Sequence, residues 1–188
     1  MGVCLIRHSS TLYNERGLSQ GSQIDLPLSP QGIAETEELR GKIEALTPRA
    51  VYSSPLRRAV QTAAILAEPF GEEPQILPAF TELDMGVIAG RHFFEFPAEL
   101  ERFKQDFLNF CPPQGESVQH MLERVWPALL ELLEAHQDGD CLLVTHFCVI
   151  RAIFLKCGGS SDRTSFPNGS LFYAELRDGV PILSVMQL

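Results

Sequence analysis

Short apolar segments that alternate with helix-length segments constrain the fold of this chain more than any other feature of its sequence. Strand-like apolar runs occupy residues 2–6, 50–53, 75–78 and 140–145. Segments with helical spacing or helix-start signals occupy residues 29–46, 55–67, 97–110, 117–136 and 146–156. Such alternation predicts an α/β fold: a three-layer, mostly parallel, doubly wound sheet with helices on both faces. Two more strands, 170–176 and 181–187, are joined around Asp178-Gly179, which is a hairpin signal.

Residues 83–117 interrupt this alternation. They contain one helical pattern and no strand pattern, which indicates a small helical lid insertion over one end of the sheet. The whole chain has 188 residues and is 45% hydrophobic, which is enough for one well-packed core but cramped for two. We therefore predict a single domain over residues 1–188, with the lid segment at about 83–117.

Composition restricts the partners and the compartment. The formal charge of −9 argues against nucleic acid or an anionic membrane as a partner, and no apolar run approaches the roughly 20 residues of a membrane span. No export signal is expected, because Arg7 and His8 occur before the apolar region of such a signal could develop. The five cysteines include no Cys-x-x-Cys pair. We expect a cytoplasmic protein with reduced thiols. The sequence does not predict the oligomeric state. An anionic substrate would need locally concentrated positive charge.

Basic side chains follow three of the predicted strands. Arg7 and His8 end the first strand, Arg57 and Arg58 lie near the start of the helix after the second, and His146 follows the strand at 140–145. Ligands of open α/β sheets bind at the carboxyl ends of the strands, and helix starts favour anions. Taken singly, a histidine at a strand end is more often structural and an arginine at a helix start is usually solvated. Together these residues predict a phosphate-handling site.

The motifs that carry these residues resemble those of the histidine phosphatase superfamily, the phosphoglycerate-mutase-like fold. The resemblance extends over most of the chain. The matching segments are RHSSTLYN at 7–14, GSQIDLPLSPQG at 21–32, SSPLRRAVQTA at 53–63, ELDMGVIAG at 82–90, GES at 115–117 and VTH at 144–146. Each segment alone is weak, but the combination is specific. Within the family, the short chain looks most like the small phosphatases typified by α-ribazole phosphatase.

The resemblance implies a role for each basic residue. His8 would be the nucleophile that takes a phosphoryl group on its ring nitrogen. Arg7, Arg58 and His146 would bind the phosphoryl oxygens and spread the charge of the transferring group. Glu82 would be the general acid, which protonates the leaving alkoxide and then activates water. No metal and no cofactor is implied.

The chain also has candidate secondary contacts to phosphate, and it departs from the family pattern at two positions. Asn14 and the backbone of Gln20-Gly21 are candidate phosphate contacts, although ordinary turn chemistry would explain them equally well. Family members usually have glycine after each catalytic histidine, where this chain has Ser9 and Phe147. Ser9 is small, whereas Phe147 is bulky enough to narrow the pocket or to shift the second histidine.

Three functions remain open at this point. The first is a metal-independent phosphomonoesterase that acts on a small metabolite. The second is a phosphoglycerate mutase-type phosphoryl transferase, and the third is a non-catalytic phosphate-binding module, for which only the two departures argue. Mutases of the family follow the acid with a segment that contains Tyr, Asn and Lys, which this chain lacks. Residues 83–117 carry three basic and six acidic side chains, so the lid segment would repel a second phosphate. Hydrolysis is therefore predicted as the main reaction.

Overall fold

Six strands form one mixed sheet in the computed structural model of the chain, which describes residues 2–137, 140–160 and 166–186. The strands are β1 (Gly2–Arg7), β2 (Val51–Ser53), β3 (Gln75–Ile76), β4 (Cys141–Thr145), β5 (Leu171–Arg177) and β6 (Val180–Met186). Their order across the sheet is β3-β2-β4-β1-β5-β6. The first four run parallel, and β5 and β6 form an antiparallel hairpin on the edge beside β1. The predicted α/β fold class is confirmed; the last residue predicted for the final strand, 187, lies outside the described residues.

The register between β1 and β4 brings the two histidines of the sequence motifs to one end of the sheet. Arg7 lies opposite Thr145 in this parallel pair, and the backbone N–H of His8 donates to the Thr145 carbonyl over 3.0 Å. Both strands end at this level, so His8 and His146 emerge side by side. The sheet itself thus produces the convergence of strand ends that the sequence predicts.

Within the same described ranges, six helices flank the sheet or cover its end. They are α1 (Leu12–Glu15), α2 (Pro30–Ile43), α3 (Arg57–Ala67), α4 (Pro97–Gln105), α5 (Val118–Ala135) and α6 (Phe147–Lys156). The Ser29 hydroxyl caps α2 by accepting from the N–H of Gly32 over 3.0 Å. The helix predicted from Pro55 begins only at Arg57, because Leu56 still has extended backbone. The helix predicted over 97–110 ends at Gln105 and is followed by a short 3-10 turn.

Alternate residues of the central strands face two separate cores, as the two-residue period of a strand requires. Val3 and Leu5 of β1 pack with α5 and α6, whereas Cys4 and Ile6 pack with α2 and α3. The helices on both faces of the sheet therefore pack against the strands whose ends carry the arginine and histidine side chains. Within the described residues, no helix is long and apolar enough to cross a membrane.

Helix α2 approaches the chain directly after β1. A Cβ atom at Gly32 would lie 1.9 Å from the carbonyl oxygen of Ser10, so only glycine allows this close approach. The N–H of Ser29 donates to the same carbonyl over 3.0 Å. The start of α2 therefore holds the segment that begins at His8 against the body of the protein.

The lid segment (residues 83–117) consists of α4 and short 3-10 turns. It has a phenylalanine cluster of its own, in which Phe103 contacts the rings of Phe93, Phe107 and Phe110 with centroids 4.9–5.1 Å apart. The guanidinium of Arg151, on α6, lies 4.3 Å from the Phe107 centroid. Aromatic packing and this cation–π contact attach the lid segment to α6 beside the strand ends.

Candidate active site

A cavity of about 240 Å³ opens at the carboxyl ends of β1 and β4. Its polar lining comprises Arg7, His8, Asn14, Ser19, Gln20, Arg58 and Glu82. Its apolar lining comprises Leu18, Met85, Phe93, Phe103 and Phe147. The structure therefore brings seven of the eight predicted site residues to one cavity, since Gly21 also lines it. The eighth, His146, lies next to His8.

His8 is held as a neutral ring whose Nε2 carries a lone pair and no proton. Its Nδ1 lies 2.8 Å from the Ser9 carbonyl, which only accepts, so the ring proton is on Nδ1. Nε2 in turn accepts from Nε of Arg58 over 3.2 Å. Burial, followed by the charges of Arg58 and Arg7, lowers the pKa of His8 well below its ordinary value of 6.5. Nε2 is therefore unprotonated.

The backbone around His8 is fixed by residues from distant parts of the chain. The Asn168 side-chain amide donates to the His8 carbonyl over 2.8 Å. The N–H of Ser9 donates to the Thr62 hydroxyl over 3.2 Å, and the Thr36 hydroxyl donates to that of Ser9 over 2.7 Å. These three residues thus fix the backbone of His8 and Ser9.

Arg58 is almost fully buried and connects His8 to the loop after α1. Its Nη1 donates to the Ile24 carbonyl over 2.9 Å and its Nη2 to the Gly21 carbonyl over 2.8 Å. Gly21 has φ +62°, and a Cβ atom there would lie 2.9 Å from the N–H of Met85, so glycine is required. Burial lowers the pKa of Arg58, opposed by Glu82 and Asp25, yet a guanidinium stays charged near neutral pH.

Arg7 supplies the second positive charge. Its Nη1 donates to the Phe166 carbonyl, and its guanidinium carbon lies 5.2 Å from the centroid of the Phe147 ring. The buried Nε has no hydrogen-bond partner among the described residues, so it is a donor without an acceptor. Burial lowers the pKa of Arg7 to about 10, which leaves it protonated near neutral pH.

Glu82 is buried beside these two arginines. One carboxyl oxygen accepts from the N–H of Leu83 over 2.8 Å and the other from the N–H of Cys148 over 3.2 Å. Burial raises the pKa of Glu82 above its ordinary value of 4.5; those two N–H groups and the charges of Arg58 and Arg7 oppose the shift. A carboxyl with a raised pKa holds its proton to higher pH, as a general acid must.

The loop that carries Glu82 is fixed by an arginine that the sequence analysis missed. Nη1 of Arg124 donates to the carbonyls of Ala79 and Thr81 over 2.6 and 2.8 Å. Its Nη2 and Nε donate to the Glu116 carboxylate over 2.8 and 3.2 Å. The glutamate of the GES segment and an arginine of α5 therefore hold the backbone that leads into Glu82. The sequence shows only that Glu116 and Arg124 are eight residues apart.

His146 is placed next to His8, with ring centroids 5.1 Å apart, although it does not contribute to the described lining of the cavity. Its Nε2 lies 2.6 Å from the Ser54 hydroxyl, and its buried Nδ1 has no partner among the described residues. Burial, followed by the charge of Arg58, lowers its pKa well below 6.5, so the ring is neutral. Ser54, which the sequence analysis did not select, is therefore the residue that orients the second histidine.

Asn14 and Gln20 form a polar wall of the cavity. The side-chain oxygen of Asn14 accepts from the N–H and hydroxyl of Thr11, over 3.0 and 2.9 Å, and from the Gln20 amide over 3.3 Å. The Asn14 side-chain oxygen thereby closes a capping box at α1. Asn14 and Gln20 therefore both line the cavity, and Asn14 also makes the hydrogen bonds of the turn that begins α1.

The two residues that replace family glycines are accommodated without backbone strain. Neither Ser9 nor Phe147 has a positive φ. Phe147 is the first residue of α6, and its ring stacks on Phe103 of the lid segment with centroids 6.1 Å apart. Phe147 thus forms part of the cavity wall beside Arg7 rather than displacing His146 from His8.

Relatives of this chain have two different activities in their names. The probable phosphoglycerate mutase GpmB of Cronobacter sakazakii is 34% identical over 148 residues, which cover 77% of this chain and 68% of that protein. The metal-independent phosphoserine phosphatase of Arabidopsis thaliana is 32% identical over 185 residues, which cover 94% of this chain and 76% of that protein.

A solved structure and a family model match almost the whole chain. The crystal structure of TTHB049 from Thermus thermophilus superposes with a TM-score of 0.77 at 29% identity, and each chain is covered completely. The model of the histidine phosphatase superfamily (branch 1) matches residues 3–187. With the paired histidines and arginines at the strand ends, this match shows that the chain belongs to the histidine phosphatase superfamily.

Proposed function

We propose that this protein is a metal-independent phosphomonoesterase that hydrolyses a small phosphorylated metabolite through a phosphohistidine on His8. The unprotonated Nε2 of His8, which faces a cavity lined by two arginines and a carboxyl of raised pKa, is the observation that carries the proposal. A nucleophile, cations for the phosphoryl oxygens and a proton donor are what metal-free phosphoryl transfer needs.

The first step transfers the phosphoryl group to the protein. The lone pair of His8 Nε2 attacks phosphorus, the bond from phosphorus to the ester oxygen breaks, and Glu82 gives its proton to that oxygen. In the second step the Glu82 carboxylate takes a proton from water as the water oxygen attacks phosphorus. The P–N bond then breaks, Nε2 regains its lone pair, and inorganic phosphate leaves.

The positive charge for both steps comes from side chains. Arg7 offers its unpartnered Nε, and Arg58 already points its Nε at the place where the P–N bond forms. The Ser54 hydroxyl donates to Nε2 of His146 in the tautomer we propose, which puts the proton of His146 on Nδ1 as a further donor. These groups stabilise the charge that spreads over the transferring phosphoryl oxygens.

We expect the purified protein to hydrolyse p-nitrophenyl phosphate equally fast with and without excess EDTA. Arg7 and Arg58 neutralise the phosphoryl group in this mechanism, so chelation removes nothing that the reaction uses. The rate of p-nitrophenolate release should agree within about twofold between the two conditions. A loss of activity that magnesium or zinc restores would overturn the mechanism, and no hydrolysis in either condition would favour a non-catalytic binding module.

Mutase activity is the alternative that the 34% identity to a probable phosphoglycerate mutase favours. A mutase holds a bisphosphorylated intermediate, which needs a second anion site. Arg7 and Arg58 are the only cations in the described lining of the cavity, and both lie beside His8. Incubation with 3-phosphoglycerate and a bisphosphoglycerate primer should therefore release more phosphate than 2-phosphoglycerate. Rapid interconversion with negligible phosphate release would show that the protein is a mutase.

A further inference from the structure

Aromatic side chains form one wall of the cavity next to the phosphoryl site. Phe93, Phe103 and Phe147 all line the cavity and are only half buried, so part of each ring is accessible. The rings of Phe147 and Phe103 stack at 6.1 Å with an interplanar angle of 20°, and Phe93 meets Phe103 edge-on at 4.9 Å. We call these three residues the aromatic wall.

The aromatic wall begins directly beside an arginine of the phosphoryl site. The guanidinium carbon of Arg7 lies 5.2 Å from the centroid of the Phe147 ring. A phosphate held by Arg7 therefore lies close to Phe147. An alcohol group that extends from such a phosphate into the cavity would lie along this wall, where Met85 and Leu18 add further apolar surface.

The described lining of the same cavity offers no further cation to a second anionic group. The only cations in its described lining, Arg7 and Arg58, lie beside His8 and are needed by the phosphoryl oxygens. A carboxylate farther along the substrate would lose its hydration against aromatic faces, which are themselves electronegative. The lid segment, with six acidic and three basic side chains, adds a repulsive field.

We propose that the alcohol part of the substrate is uncharged and apolar, with an aromatic ring as the best fit, and that Phe147 is a specificity-determining residue. The proposal rests on the proposed function for the position of the phosphoryl group. It predicts that phosphoserine and phosphoglycerates, which carry a carboxylate, are poor substrates compared with an aryl-alkyl phosphate. An aromatic ring buries more apolar surface against the aromatic wall than a small or charged group does, and this burial favours its binding.

Binding of three phosphonates tests the proposal without relying on turnover. Isothermal titration calorimetry would compare benzylphosphonate, ethylphosphonate and 3-phosphonopropionate, which share a phosphonate and differ in an aromatic, a small apolar and a carboxylate group. We expect benzylphosphonate to bind the wild type about tenfold more tightly than either of the others. Equal affinities, or tightest binding of 3-phosphonopropionate, would overturn the proposal.

Variants of the aromatic wall test whether Phe147 produces the preference for benzylphosphonate. Phe147→Ala should weaken benzylphosphonate about tenfold and change ethylphosphonate less than about twofold. Phe147→Leu, which keeps apolar volume for packing, should show a smaller loss with the same pattern. Phe94→Ala is the matched control, because Phe94 lies on the lid segment, is 68% exposed and does not contribute to the described lining. Equal losses for both ligands in Phe147→Leu, with an unchanged thermal transition, would exclude Phe147 as a specificity determinant.

Hydrolysis measured in parallel separates this inference from the proposed function. If the wild type prefers benzylphosphonate yet hydrolyses no phosphomonoester, the wall is as proposed and the proposed phosphatase activity is wrong. If it hydrolyses 2-phenylethyl phosphate, ethyl phosphate and phosphoserine with equal kcat/KM, the phosphatase activity stands and the wall does not select substrates.

Discussion

Replacing His8 with alanine is expected to lower kcat by about 10⁴-fold or more, because the lone pair that forms the covalent intermediate is lost with the ring. Wild-type protein quenched during turnover should carry phosphate that is labile in acid and stable in base, as a phosphoramidate is. The His8→Ala protein should carry none. Rapid-quench labelling with a ³²P-phosphomonoester measures both results.

Two further variants control for loss of structure. His8→Asn retains a side-chain amide near the Ser9 carbonyl that Nδ1 contacts at 2.8 Å, so it should fold normally and still fail to turn over. His120→Ala should keep wild-type activity, because the His120 side chain is 72% exposed on α5. Acid-stable, base-labile phosphate on Ser9 or Ser10 would show instead that a hydroxyl is the nucleophile.

The strand ends of the site could be predicted from the sequence because each depends on local patterns. An apolar run that ends in Arg7-His8, and another that ends before His146, indicate two strands of one parallel sheet, and parallel strands end at the same edge. In the structure Arg7 lies opposite Thr145, so both strands end at the same level. Glu82 is different, since no strand pattern precedes it and only its motif indicates a role.

The contacts that orient these residues could not be predicted, because their partners are far apart in sequence. Ser54 is 92 residues from His146, and Asn168 is 160 residues from His8. Arg124 reads as an ordinary charged residue of an amphipathic helix, and only the folded chain shows it holding the loop before Glu82. Local patterns place the reactive groups; the tertiary structure selects their tautomers and pKa values.

Glu82→Gln is expected to slow phosphoryl transfer from alkyl phosphates by about 10²-fold or more and transfer from p-nitrophenyl phosphate far less. An alkoxide needs the proton that Glu82 supplies, whereas p-nitrophenolate is already a stable anion. The quantity to measure is kcat/KM, which reports the steps up to formation of the phosphoenzyme. Glu73→Gln is the matched control, because Glu73 is exposed and outside the described cavity lining.

The pH dependence gives an independent test of the same assignment. His8 must be neutral, which holds above its lowered pKa, and Glu82 must be protonated, which holds below its raised pKa. For an alkyl phosphate, kcat/KM should therefore fall on the alkaline side as Glu82 loses its proton, and Glu82→Gln should remove that fall. If the variant keeps the alkaline fall, or if both substrates lose activity equally, Glu82 is not the acid. Asp84→Asn would then be the next variant to measure, since Asp84 lies two residues along the same loop.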